Sequence, residues 1–143
     1  MTSTDTERAA LVLVIDASAV VDLLLEQPVN DRLRVRVEVA DELHAPHLID
    51  LEVLSVVRRL CAAGKLSGDA AGVALQQFGL LPISRYPHEP LRSRIWALRH
   101  ELTVNDASYV ALAEALQLPL ITSDSRMARS RGHHATVESY DRS

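Results

Sequence analysis

The apolar and polar positions of the chain fall into two alternating kinds of block. Residues 11–15 are Leu-Val-Leu-Val-Ile, five consecutive aliphatics ended by Asp16. Such a run predicts a strand buried on both faces. The spacing then changes to a helical period over 18–25, with Ser18 as cap and Val20, Val21, Leu24 and Leu25 on the apolar face. Pro28 ends that helix. A second helix is predicted over 30–40, with Leu33, Val37 and Ala40 on one side and Arg32, Arg34 and Arg36 largely on the other. A short strand over 42–45 follows, ended by Pro46. Residues 47–63 predict a helix apolar over a wide arc, closed by Gly64 at the C′ position. Further helices are predicted over 67–78, 90–99 and 103–116, with strands over 82–86, 119–122 and 136–137. A brief helix opens at Ser125. Residues 1–9 and 139–143 are expected to be flexible tails.

Strands alternating with helices predict an α/β fold, with a mainly parallel central sheet between two helical layers. No repeat or linker interrupts 1–143, so one domain is expected. The 143 residues are 48% hydrophobic, which excludes a disordered chain, and 3% aromatic, so the core is expected to be aliphatic. Cys61 is the single cysteine, which excludes an intrachain disulfide and fits a reducing compartment. No apolar run is long enough to span a membrane, and residues 1–8 lack a signal-peptide pattern. A cytoplasmic protein is expected. The net charge of −4 argues against nucleic-acid binding when read globally. Yet 14 of the 15 basic residues are arginine, which suits bidentate phosphate contact, and acids sequestered as metal ligands would cancel the excess.

Four carboxylates stand where apolar neighbours make them costly to bury. Asp16 ends the first strand, Glu52 sits inside the apolar helix, Asp106 opens the 103–116 helix, and Asp124 follows the 119–122 strand. In open α/β sheets ligands bind outside the carboxyl ends of the strands. Four clustered carboxylates call for a divalent cation, and oxygen-only ligation favours Mg²⁺ or Mn²⁺. Each acid also has a local reading. Asp16 or Ser18 caps the first helix, Asp106 completes a capping box with Thr103, Asp124 caps the helix at Ser125, and Glu52 is solvated. Asp22, one turn beyond Ser18, is expected to be an exposed helix residue, with reach into the cleft as the other reading.

Four segments, VLVIDASAVVDLLL at 12–25, APHLIDLEVLSVVRRL at 45–60, LTVNDASYVALAEAL at 102–116 and LPLITSDSRMAR at 118–129, carry a family resemblance. In order and spacing they resemble a PIN-domain ribonuclease of the VapC type, the toxin of a type II toxin–antitoxin pair. The resemblance implies a PIN-like three-layer α/β/α sandwich and a Mg²⁺- or Mn²⁺-dependent endoribonuclease. It implies Asp16, Glu52, Asp106 and Asp124 as the catalytic, metal-binding acids, with Ser18 and Thr122 as supporting hydroxyls. Asn105 stands where many members carry an aromatic residue. Implied partners are the RNA substrate, a VapB-type antitoxin and a second copy of the chain. The first, second and fourth helices are where those protein partners are sought, and Arg126 or Arg129 is a candidate for the RNA backbone.

Three other readings compete. A metal-independent ribonuclease would use histidines, of which there are six, none at a strand end beside another catalytic type. A receiver-like Mg²⁺-binding domain would need paired acids after the first strand and a lysine after the last. The only lysine is Lys65, in a helix-ending turn. A catalytically idle partner-binding module is disfavoured by the intact set of acids.

Overall fold

The computed structural model describes residues 11–25 and 30–141. The first run forms β1 (Val12–Ile15), followed by α1 (Ala17–Leu25), α2 (Asp31–Glu38) and β2 (Glu42–Pro46). Then come α3 (Leu48–Ala62), α4 (Gly68–Leu80) and β3 (Ile83–Tyr86). A single 3₁₀ turn, Glu89–Leu91, leads into α5 (Arg92–Ala97), α6 (Val104–Leu116), β4 (Leu120–Thr122), α7 (Ser125–Ala128) and β5 (Val137–Ser139). Pro90 explains the 3₁₀ entry to α5. It lacks the N–H that an α-helical first turn leaves unsatisfied, and its fixed φ suits a first-turn position.

The five strands form one parallel sheet in the order β3-β2-β1-β4-β5. β1 is central, which is why its residues Leu13, Val14 and Ile15 are fully buried. Helices α1, α3 and α4 pack on one another, and α6 lies on β1, β2 and β4 with α5 against it. The result is the three-layer α/β/α sandwich the alternation predicts. Among the described residues no helix is long and apolar enough to cross a membrane.

Local caps show why the elements end where they do. Ser67 accepts from the Ala70 N–H at the start of α4, and Thr103 from the Asp106 N–H at the start of α6. The C-terminus of α3 closes in a Schellman motif. Gly64 stands at φ +71°, its N–H donates to the Cys61 carbonyl, and the Lys65 N–H donates to the Leu60 carbonyl.

Three expectations need correction. α1 begins at Ala17 and its cap is Asp16, whose Oδ1 accepts from the Ala19 N–H at 2.9 Å; Ser18 lies inside the first turn. Residues 139–141 are not a free tail. Ser139 belongs to β5, and the Tyr140 N–H donates to the Thr122 carbonyl at 2.9 Å. Asp22 is not exposed but 7% accessible, and its Oδ2 accepts from the Ser123 hydroxyl at 3.1 Å and the Asn30 amide at 3.5 Å. The expected tail over 1–9, with 142–143, lies outside the described residues.

Candidate functional site

Chain order runs outward from β1 in both directions, so the strand connections diverge between β1 and β4. That divergence opens a crevice at the carboxyl ends of the two strands. Asp16 follows β1 there, and Asp124 follows β4 by two residues. Glu52 projects from the second turn of α3 and Asp106 from the first turn of α6. All four acids, with Ser18, line one cleft of about 610 Å³.

Asp16 is the most buried of the four, at 3% exposure. Its Oδ1 accepts from the Ser18 hydroxyl at 2.8 Å and the Ala19 N–H at 2.9 Å, and its Oδ2 from the Thr122 hydroxyl at 2.5 Å. Thr122 is fully buried and also accepts from the Asp124 N–H at 2.9 Å, so it ties the ends of β1 and β4 together. Ser18 accepts in turn from the Ser123 N–H at 3.1 Å. Burial pushes the Asp16 carboxyl up to about 6; the Thr122, Ala19 and Ser18 donors hold it down in part, and the Asp106 charge raises it. The Asp106 carboxyl is raised as well, by burial first and also by the Asp124 charge, against the Thr103 hydroxyl and Arg126.

Glu52 is held from α6. Its Oε1 accepts from the Tyr109 hydroxyl at 2.6 Å and its Oε2 from the Asn105 amide at 3.4 Å. Burial and the bonded Glu52 carboxylate drive the Tyr109 phenol far above its ordinary range, so it stays a donor. Asp124 lines the cleft, and its Oδ1 also caps α7 by accepting from the Arg126 N–H at 2.9 Å.

Arg126 pairs loosely with Asp124 at 3.4 Å, and neither Arg126 nor Arg129 lines the cleft. The arginines that do are Arg58 and Arg59, near the end of α3. The sequence reading does not single them out. Their spacing of six and seven from Glu52 was the signal available, since i and i+7 share a helical face. Tyr109 carries the same kind of signal, three residues after Asp106 on one helical face; Asn105, the immediate chain neighbour of Asp106, does not.

The donor set is oxygen only and includes one buried carboxylate with a raised pKa, which suits a hard divalent cation. Among the described residues no three His, Cys, Asp or Glu side chains stand close enough together to hold a metal ion.

The sequence profile of the PIN domain matches residues 13–132. The chain belongs to the PIN-domain family. Within that family its relatives are VapC ribonucleases. Ribonuclease VapC12 of Mycobacterium tuberculosis is 40% identical over 126 residues, spanning 88% of this chain and 97% of that protein. Ribonuclease VapC9 of the same organism is 43% identical over 116 residues, spanning 81% and 88%. Among solved structures, PAE2754 from Pyrobaculum aerophilum superposes with a TM-score of 0.66 at 24% identity, covering 90% of this chain and 84% of that one. VapBC-5 from Mycobacterium tuberculosis superposes with a TM-score of 0.54 at 21% identity, covering 92% and 98%. These two likenesses carry the PIN fold.

Proposed function

We propose that this PIN domain is an endoribonuclease that hydrolyses RNA phosphodiesters with a divalent cation, Mg²⁺ or Mn²⁺, and serves as the toxin of a toxin–antitoxin pair. The convergence of Asp16, Glu52, Asp106 and Asp124 from four separate elements on one cleft carries the reading, together with the VapC ribonuclease relatives. Asp16 and Asp106, the two acids whose carboxyls burial raises, would hold the cation, with Asp124 and Glu52 completing the acidic rim. When bound, the cation lowers the pKa of water and offsets charge on the nonbridging phosphate oxygens.

The chain's own work is positioning. Ser18, Thr122 and the Ala19 N–H fix the Asp16 carboxylate in one orientation, and Tyr109 and Asn105 fix Glu52. Arg58 and Arg59 face the phosphates that flank the scissile one. Water attacks phosphorus and the 3′-oxygen leaves, so the product carries a 5′-phosphate and the 2′-hydroxyl is not consumed. Among the described residues no histidine lines the cleft, which favours the acid site over histidine acid–base chemistry, and no lysine does, which weighs against a receiver-like domain. A VapB-type antitoxin and a second copy remain the protein partners this reading expects. Exposed Val35 on α2 and Val73 and Leu80 on α4 are the apolar side chains it offers them.

The test is cleavage of an RNA pool by purified protein, with Mg²⁺ or Mn²⁺ and with EDTA, beside Asp16→Asn and Asp106→Asn. Metal-dependent cleavage lost in both variants supports the reading. Wild-type cleavage that survives EDTA and both substitutions overturns it.

A further inference from the structure

Beside the acid cleft lies a second hollow, of about 320 Å³, floored by Leu48, Ile95, Trp96 and Val104. We propose that it is a base-binding subsite, in which one unpaired nucleobase of the RNA substrate stacks on Trp96. The proposal rests on the ribonuclease reading and adds to it the form of substrate and where one nucleotide is gripped.

Position comes first. Leu48 and Asn105 line both the hollow and the acid cleft, and Asn105 donates to Glu52. A base in the hollow is therefore a near neighbour of a phosphate at the acids. Exposure comes second. Trp96, the only tryptophan in the chain, is 63% exposed, and Val104 is 58% exposed. Trp96 contributes little to the core, so packing does not account for an indole at this place.

Charge decides the class of occupant. The Arg99 guanidinium lies over the Trp96 ring at 4.5 Å from its centroid and is anchored by a 2.9 Å bond to the Trp96 carbonyl. Arg92 lines the hollow and has no ion-pair partner among the described residues, and no acid lines it. An aromatic platform with adjoining cations is the combination that holds single-stranded nucleic acid. The remaining polar groups are already engaged. His88 Nε2 accepts from the Leu48 N–H at 3.0 Å, and the Ser108 hydroxyl donates to the Asn105 carbonyl at 2.6 Å. Apart from the Arg92 guanidinium, few donors remain to read base edges, so stacking supplies most of the grip. A paired base cannot enter such a hollow, so the substrate is a loop or an unpaired strand.

Direction follows from α3. Leu48 opens that helix, Glu52 is one turn on, and Arg59 is about 16 Å from Leu48 along the axis at about 1.5 Å per residue. The RNA lies along α3, with a stacked base at one end, the cleaved phosphate beside Glu52, and backbone phosphates on Arg58 and Arg59 at the other.

Trp96 itself supplies the readout. An unstructured oligoribonucleotide, carrying a cleavage site mapped from an RNA pool, is titrated into the Asp16→Asn protein. Binding is followed by anisotropy and by tryptophan emission. The wild type is then assayed on the same strand with a single abasic nucleotide moved along it. The expected result is a change of emission on binding, and a drop of at least about fivefold in cleavage when the abasic position adjoins the scissile bond. Trp96→Ala removes that dependence and Trp96→Phe retains it. Binding without a change of emission, or a Trp96→Ala protein that keeps the abasic dependence, overturns the subsite while cleavage by the wild type upholds the ribonuclease reading. Emission that changes with protein concentration and not with RNA assigns the hollow to a second copy and also overturns it. Failure of the wild type to cleave any RNA removes the ribonuclease reading, and the subsite with it.

Discussion

Replacing Thr122 with valine keeps the shape of a fully buried side chain and deletes only its hydroxyl. Its two shortest bonds are lost, donation to the Asp16 carboxylate and acceptance from the Asp124 N–H at 2.9 Å, together with a longer 3.2 Å contact to the Ser18 hydroxyl. A buried bond to a charged group contributes about 1.5–3 kcal/mol, and an N–H left without an acceptor costs about 1–3 kcal/mol. Because the two losses overlap in one side chain, we expect a net destabilisation of about 3 kcal/mol at pH 7.5 in EDTA. With a urea slope of about 2 kcal/mol/M, the unfolding midpoint falls by about 1.5 M. Thr122→Ser keeps the hydroxyl and loses one methyl, which costs about 1 kcal/mol. The hydroxyl favours the charged form of Asp16, whose carboxyl titrates at about 6. Its contribution is therefore present above that value and shrinks as pH falls through it, so the valine defect is smaller at pH 5. Equal stability of Thr122→Val and wild type, or a serine variant weaker than the valine one, refutes the claim that this hydroxyl joins β1 to β4.

Further outcomes follow from the same contacts. The folded Asp16 pKa of about 6 lies above the ordinary aspartate value of 3.8, so the wild-type chain without metal loses stability as pH rises from about 4 to 6. Asp16→Asn, which cannot ionise, is expected to pull ahead over that window by about 2–3 kcal/mol in EDTA while losing metal-dependent cleavage; thermal melts at pH 4 and pH 7 check it. Tyr109→Phe frees Glu52 from its 2.6 Å bond and is expected to lower kcat about tenfold with a melting temperature within a few degrees of wild type. The Arg36 guanidinium grips Glu138 at 3.0 and 3.1 Å and holds its carboxyl below the usual range. Glu138→Gln is expected to cost about 1 kcal/mol at pH 7, a loss that vanishes as pH falls below about 4. Melts across that range test it.

The alternation of short apolar stretches with helical periods is enough to place each described strand and helix within a few residues, because each pattern is set by local burial. The acids were legible for a related reason. A carboxylate after an aliphatic strand, or inside an apolar helix, breaks a pattern and so stands out. Contacts between distant residues left no such trace. Asn105 reaches Glu52 across 53 residues, and nothing periodic marks that pair. Asp22 was misjudged because a charged residue on a short helix is ordinarily solvated; its partner Ser123 lies 101 residues away. The one usable hint was that Asp22 shares a helical face with Ser18.

The central place of β1 also governs when, during synthesis, the acid cleft can form. Thr122 reaches back 106 residues to Asp16, and Asp124 arrives two residues later. A growing chain that has emerged only as far as α6 holds Asp16, Glu52 and Asp106 but has neither the strand that clamps the first acid nor the fourth acid. Pairings this far apart in sequence form late, after the loop between them has been closed. On the proposed reading, a partial chain of that length is expected to cleave no RNA. The acid cleft is complete only once residues 122–124 have docked beside β1.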